Sequence, residues 1–158
     1  MKPVLLLSCL IFSTGLTAQS PFLKNTIYIE AGGNGLFGSL NYERQLTSKP
    51  GIGIRAGIGF YTENAFYLTL PVGVNYLFPL NNKNSFIDAG MGITWSKVDG
   101  KIFGESKNTR ANSFVNFIPS IGYRKHTVKD MMWRVSITPI INKNSFFPWA
   151  GISIGKIF

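Results

Sequence analysis

Gly51-Ile52-Gly53-Ile54-Arg55-Ala56-Gly57-Ile58-Gly59-Phe60 alternates an apolar side chain with glycine or arginine. A period of two belongs to a β-strand, whose successive side chains point to opposite faces. The face without the apolar residues decides what kind of strand this is. On a soluble domain that face meets water and carries Lys, Glu and other strongly hydrated groups. Here it carries Gly53, Arg55, Gly57 and Gly59, which are small and hold a single charge. Such a face fits the crowded inside of a narrow barrel, and the apolar face then points outward.

The pattern recurs along the chain. Segments 26–33, 35–43, 51–60, 66–78, 85–96, 113–124, 131–141 and 148–158 read as strands, and no helix-period stretch follows residue 18. Their apolar faces include Leu68, Leu70, Val72, Val74 and Tyr76; Ile87, Ala89, Met91, Ile93 and Trp95; Val115, Phe117, Pro119, Ile121 and Tyr123; and Trp133, Val135, Ile137 and Pro139. The last segment gives Ala150, Ile152, Ile154, Lys156 and Phe158, where Lys156 alone is polar. The opposite faces hold Thr69, Gly73, Asn75, Asp88, Thr94, Asn116, Ser120, Arg134, Ser136 and Ser153 among others. Most segments reach the roughly nine to eleven residues that a tilted strand needs to cross a bilayer. The expected fold class is all-β: an eight-stranded antiparallel up-and-down transmembrane β-barrel, apolar outside and Gly/Ser/Thr/Asn-lined within. Pro71, Pro119 and Pro139 each remove a ladder donor, so bulges are expected there, each shifting the facing beyond it.

Gly33-Asn34-Gly35-Leu36-Phe37-Gly38 matches the dinucleotide-binding spacing G-x-G-x-x-G. That motif works only between a strand and a helix, and here alternation resumes instead. Asn34-Gly35 reads as a two-residue hairpin turn with positive φ at both positions. If the chain enters from the periplasm, the connections 34–35, 61–65, 97–112 and 142–147 face outward, while 44–50, 79–84 and 125–130 face the periplasm. The longest connection then lies outside the cell, as in outer-membrane barrels. Outward aromatics gather at the two rims: Tyr42, Tyr76, Phe78, Tyr123, Trp133 and Phe158 at one, Phe60, Phe66 and Trp95 at the other.

The N-terminal stretch has one cation (Lys2), an apolar run from Val4 to about Leu16 and small residues near Ala18, the three parts of a secretory signal peptide. Residues 1–18 are expected to be removed, leaving 19–158 as one barrel domain. Cys9 lies inside that run, so the exported chain is expected to hold no disulfide or cysteine metal site. Loss of Lys2 lowers the formal charge of +9 by one. The cations are scattered through connecting segments rather than along a helix face, so nucleic acid is not the expected partner. Phosphorylated lipid headgroups and lipopolysaccharide are.

These features resemble the small eight-stranded outer-membrane β-barrel family, the OmpX and OmpA transmembrane-domain type. The resemblance rests on the signal, the eight alternating segments and the closing strand Trp149-Ala-Gly-Ile-Ser-Ile-Gly-Lys-Ile-Phe158. It implies residence in the outer membrane of a Gram-negative cell. It also implies that Ala150, Ile152, Ile154 and Phe158 form the C-terminal signal read by the barrel-assembly machinery. Lys156 stands where the family usually has an apolar or aromatic residue.

The inward ionisable residues are Glu30, Glu43, Arg55, Asp88, Arg124 and Arg134. Isolated charges are costly in a narrow interior, so a paired structural cluster of Glu30, Arg55, Asp88 and Arg134 is expected. His126 is the one histidine and falls in a periplasmic turn, without the Ser and carboxylate that lipid-modifying barrels bring together at the outer leaflet. No enzymatic activity, cofactor or metal is expected. The long loop Ser96 to Asn112 reads as a solvated surface segment, with adhesion through Ile102-Phe103 as the functional alternative. The expected role is structural or surface-interactive: envelope integrity, lipopolysaccharide contact or adhesion. The rivals are a secreted lipocalin-like lipid carrier, a lipid A-modifying enzyme and a subunit of a larger envelope or secretion complex.

Overall fold

The computed structural model describes residues 22–62, 66–81, 84–98, 113–141 and 146–158. The signal peptide expected over 1–18, the core of the loop 97–112 with Ile102-Phe103, and parts of the connections 61–65 and 142–147 lie outside them. Ten strand segments are present: β1 (Asn25–Gly32), β2 (Gly38–Gln45), β3 (Ile52–Thr62), β4 (Phe66–Pro79), β5 (Ser85–Val98), β6 (Ser113–His126), β7 (Met131–Ile137), β8 (Ile140–Ile141), β9 (Phe146–Phe147) and β10 (Ala150–Ile157). β1 to β7 pair antiparallel in sequence order, β10 pairs with β7, β8 with β6 and β9, and β1 with β10 from Thr26↔Ile157 to Gly32↔Gly151. β7 with β8, and β9 with β10, each make one stave. The result is a closed, all-β, eight-stranded antiparallel barrel.

Among the described residues, closure through β1–β10 and β5–β6 leaves every stave paired on both sides. At the end carrying both chain termini, called here the terminal rim, Asn25 and Phe158 exchange backbone hydrogen bonds of 3.0 and 2.8 Å. Side chains alternate as the sequence predicts. Ile54, Val72, Ile93 and Ile152 are 47, 51, 50 and 64% exposed, whereas Thr69, Thr94, Asn116 and Ser153 are at most 2% exposed. The apolar side chains form a belt around the whole outer surface, and the interior is polar. Aromatic pairs mark both rims of the belt. Tyr76 lies 4.5 Å from Phe78 and Tyr123 5.4 Å from Trp133 at the terminal rim. Phe37 lies 6.1 Å from Trp149 and Phe147 5.8 Å from Trp149 at the distal rim.

Two local expectations are corrected. The prolines introduce no register-shifting bulge. Across Pro71 the β3–β4 ladder runs from Ala56↔Val72 to Gly59↔Thr69 in one register, and the β5–β6 ladder passes Met91↔Pro119 unbroken. Pro139 splits one stave into β7 and β8, yet Ile121↔Ile137 and Phe117↔Ile141 keep the same offset on β6. Each ring deletes a donor locally and the flanking pairs hold the register, so facing is preserved beyond it.

The second correction concerns Asn34 and Gly35. They are not the positive-φ residues of a two-residue hairpin turn. Positive φ falls on Gly32 (74°), Gly33 (65°) and Leu36 (75°), and Gly33–Gly35 forms one 3-10 turn. The β1–β2 connection is therefore five residues, 33–37, and β2 starts at Gly38. The extra length lets the turn fold over the barrel mouth.

Gly32 combines φ 74° with ψ −143°, and a Cβ there would run into the Ala150 carbonyl. This backbone region is essentially confined to glycine, at a strain of about 1–3 kcal/mol for other residues. Gly32→Ala is expected to lower stability by at least about 2 kcal/mol, since the clash adds to the strain. Urea unfolding of the refolded barrel checks this, and an unchanged midpoint contradicts the closure geometry.

Candidate functional site: the barrel interior

The interior carries three arginines and three carboxylates on six staves. Arg124 on β6 and Arg134 on β7 are direct cross-strand partners. Two like charges so placed repel, and a carboxylate between them removes the conflict. Asp88 on β5 places Oδ2 3.5 Å from Arg124 Nη1 and 3.1 Å from Arg134 Nη1. Arg124 Nη1 also donates to Glu43 Oε1, and Arg134 Nη2 donates to Glu30 Oε1 at 2.7 Å. An alternating chain Glu43–Arg124–Asp88–Arg134–Glu30 thus crosses the lumen, with every member at most 4% exposed.

Neutral groups complete the chain. Thr26 Oγ1 accepts from Arg124 Nη2 at 3.1 Å, Gln45 Nε2 donates to Glu43 at 3.0 Å, Asn75 Nδ2 donates to Asp88 at 3.2 Å, and Ser153 Oγ donates to Glu30 at 3.1 Å. The Tyr28 ring stacks beneath the Arg134 guanidinium, 5.0 Å from its centre. Charged groups enclosed away from water need such partners, because desolvation of each costs several kcal/mol.

Of the four residues expected to cluster, Glu30, Asp88 and Arg134 lie together. Arg55 does not join them. It faces inward, 6% exposed, and its Nη2 donates to Ser120 Oγ at 3.0 Å. Arg124 and Glu43 occupy the place assigned to it. Both were legible as inward-facing, but facing fixes the side of a strand and not the partner its side chain takes. The register sets Arg55 directly opposite Glu43, and its guanidinium donates to Ser120 instead.

Both ends of the lumen are closed by described residues. At the distal end the 33–36 turn is buried inside the mouth. Thr69 Oγ1 donates to the Gly35 carbonyl at 3.0 Å and Thr94 Oγ1 to the Asn34 carbonyl at 2.6 Å. Asn34 N donates to Glu30 Oε2 at 3.1 Å, tying the turn to the end of the ion chain. Gly33 permits this approach, since a methyl there would overlap the Glu30 carboxylate. At the terminal rim Tyr28, Met132 and Ile157 pack together with Leu23 against them.

His126 sits at the terminal rim. Its Nε2 accepts a hydrogen bond from Arg124 Nε at 2.9 Å, and its ring lies 4.8 Å from Phe86 and 6.4 Å from Phe22. One of its two ring nitrogens is thus engaged by a guanidinium. Ala150, Ile152, Ile154 and Phe158 all point outward, 50–64% exposed for the last three. Lys156 Nζ reaches back to the Lys129 carbonyl at 3.2 Å. Among the described residues no group of three His, Cys, Asp or Glu side chains is placed to hold a metal ion.

The geometry defines a class of fold: a narrow, side-chain-filled, eight-stranded barrel with its apolar face outward. Two solved structures share it. The N-terminal β-barrel domain of Pseudomonas aeruginosa OprF superposes with a TM-score of 0.63 at 9% identity, over 86% of this chain and 96% of that one. The Yersinia pestis outer membrane protein Ail, solved in a phospholipid bilayer nanodisc, gives 0.55 at 9% identity over 86% of this chain and 99% of that one. No family model matches the sequence, and no curated protein does. The likeness is one of fold.

Arg134→Met removes the link between Glu30 and Asp88 and leaves buried carboxylates underpaired, which costs about 3–5 kcal/mol in comparable pairs. Arg55→Met breaks one hydrogen bond to a charged group, about 1.5–3 kcal/mol. Denaturant unfolding of both variants is expected to rank Arg134→Met as the more destabilised, and the reverse order contradicts the chain.

Proposed function

We propose that the chain is an integral protein of a Gram-negative outer membrane, without enzymatic activity, in a structural or surface-interaction role. The carrying observation is the apolar belt. It encircles the molecule, ends in aromatics at both rims, and surrounds a polar interior. A soluble protein rarely exposes an apolar patch above a few hundred Å², whereas this pattern is what a bilayer requires. The likeness to OprF's barrel and to Ail supports the same reading.

Export through residues 1–18 then puts both termini and the terminal rim in the periplasm. Ala150, Ile152, Ile154 and Phe158 form an outward row on the last stave, suited to recognition by the barrel-assembly machinery. The distal rim faces the cell exterior, where lipopolysaccharide contact or adhesion is assigned to the connections around 99–112. The interior argues against solute conduction. Eight strands leave little space that side chains do not fill, and here the ion chain, the 33–36 turn and the Tyr28 cluster occupy it. The same filling argues against a lipocalin-like carrier, which needs an apolar cavity within. A lipid A-modifying activity would need a base at the outer leaflet, whereas His126 lies at the opposite rim against Arg124.

Fractionation of the native cell is expected to find the protein in the outer membrane, migrating differently on a gel before and after boiling. Recovery as a soluble periplasmic protein would overturn the reading. In purified form, Ile93→Arg places a charge on the belt and is expected to cost up to about 2–4 kcal/mol if that position lies near the bilayer midplane. Urea titration in phospholipid vesicles measures it, and a neutral effect would contradict lipid contact at Ile93.

A further inference from the structure

We propose that the terminal rim carries a binding site for an anionic glycerophospholipid, built by Lys125, Tyr123 and Ser85 on the outer surface of the barrel. The inference rests on the outer-membrane reading above and assigns a ligand to one point of the rim. Lys125 follows Arg124, which points into the lumen, so it occupies an outward position on β6. Its cross-strand partners are Ser85 on one side and Trp133 on the other. A lysine on the lipid-facing side is tolerated where its ammonium reaches the headgroup layer and its stem lies on apolar surface. Trp133 and the Tyr123 ring, 5.4 Å apart, mark that layer.

Three polar groups converge there. Lys125 Nζ donates to Ser85 Oγ at 2.9 Å, and Tyr123 Oη donates to the same oxygen at 3.0 Å. Beside them lies a surface recess of about 480 Å³ lined by Pro79, Leu80, Asn81, Ser85 and Tyr123. Its neighbours along β4 are the exposed, mutually packed rings of Tyr76 and Phe78. The recess thus has a hydroxyl-bearing wall, with the Lys125 ammonium hydrogen-bonded to its Ser85 oxygen, and an apolar wall, and it opens beside the greasy belt. An ammonium with hydroxyl donors suits a phosphodiester oxyanion. The apolar wall and the belt suit the acyl chains that an inorganic anion lacks.

Charge at this end favours an anionic lipid over a zwitterionic one. Arg44 on β2 and Lys156 on β10 also point outward near the terminal rim, and Lys129 lies in the adjoining turn. Of the described side-chain carboxylates at this end, Glu43 and Asp88 are buried inside on arginine, and Asp130 alone is exposed, in the turn beside Lys129. Basic residues at an anionic leaflet each add a modest attraction. Lys125 differs from Arg44, Lys129 and Lys156 in donating to a serine hydroxyl that lines a recess. It also projects from the side of the barrel, toward lipid, and not from its base, toward a periplasmic protein.

The test uses the full mature chain, refolded into phosphatidylcholine vesicles with or without phosphatidylglycerol, then extracted in mild detergent for native mass spectrometry. The wild type is expected to retain phosphatidylglycerol in preference to phosphatidylcholine. K125Q is expected to reduce that retention roughly fivefold, while K125R preserves it and K129Q, in the turn, leaves it unchanged. Equal loss in K129Q would mean diffuse charge attraction and overturn the site. Displacement of the lipid by excess inorganic phosphate would make this a phosphate site and overturn the lipid assignment. A wild-type barrel that folds in phosphatidylcholine but retains no phosphatidylglycerol defeats the proposal alone. A chain that inserts into neither vesicle defeats the outer-membrane reading with it.

Discussion

A sheet with an apolar belt around its outer face is exposed to mispairing if it has an open edge, because the unpaired N–H and C=O groups there would take up another strand. Pairing β1 with β10 satisfies those groups, and much of the remaining structure follows from that pairing. Closure at eight staves fixes a narrow interior, which favours small residues on the inner face. Gly57 and Gly90 show this directly, as an added Cβ would come within 2.6 Å of the Leu40 and Val74 carbonyls respectively. Where larger side chains do enter, they must share a restricted space, and the charged ones must find each other.

The ion chain illustrates how that sharing is organised. Arg124 and Arg134 stand side by side across a ladder, an arrangement that would push the strands apart if left alone. Asp88 lies between them, and Glu43 and Glu30 cap the two ends. Three carboxylates against two arginines leave one negative charge, and Arg55, the cross-strand partner of Glu43, brings the interior to balance. Replacing such a network by apolar residues is often neutral or stabilising in other proteins. Its value here lies in specification: a register slip of one residue in any of these staves would turn that stave's member of the chain to the outer face.

The alternation within each segment was sufficient to read the facing of nearly every stave, because facing depends only on counting by twos from one secure residue of that stave. The prolines did not disturb that count, because the ladder pairs on either side of each ring hold the register. Which inward side chains would meet was not legible. Glu30, Asp88 and Arg134 meet although 104 residues separate the first from the last. Arg55, equally inward and opposite Glu43, donates to Ser120 across the lumen instead. The 33–37 turn was misread for a related reason. Asn-Gly favours a tight two-residue turn locally, but Thr69, Thr94 and Glu30 supply bonding partners for a longer one, and tertiary contacts outweigh a dipeptide preference.

The two closures of the lumen are built on different chemistry, and the difference follows from the residues available at each end. The terminal closure is side-chain packing: Tyr28, Met132 and Ile157 fill the section with apolar volume and allow the chain ends to pair above them. The distal closure is backbone. Its carbonyls at Asn34 and Gly35 accept from threonine hydroxyls, and its Asn34 N–H donates to Glu30, which is itself held by Arg134 and Ser153. The plug is thereby coupled to the charge chain through one carboxylate with two oxygens, Oε1 on the arginine and Oε2 on the turn. Loosening Arg134 therefore frees Glu30 to move away from the turn. The ordering of the distal mouth depends on an ion pair inside the barrel as well as on the loops around it.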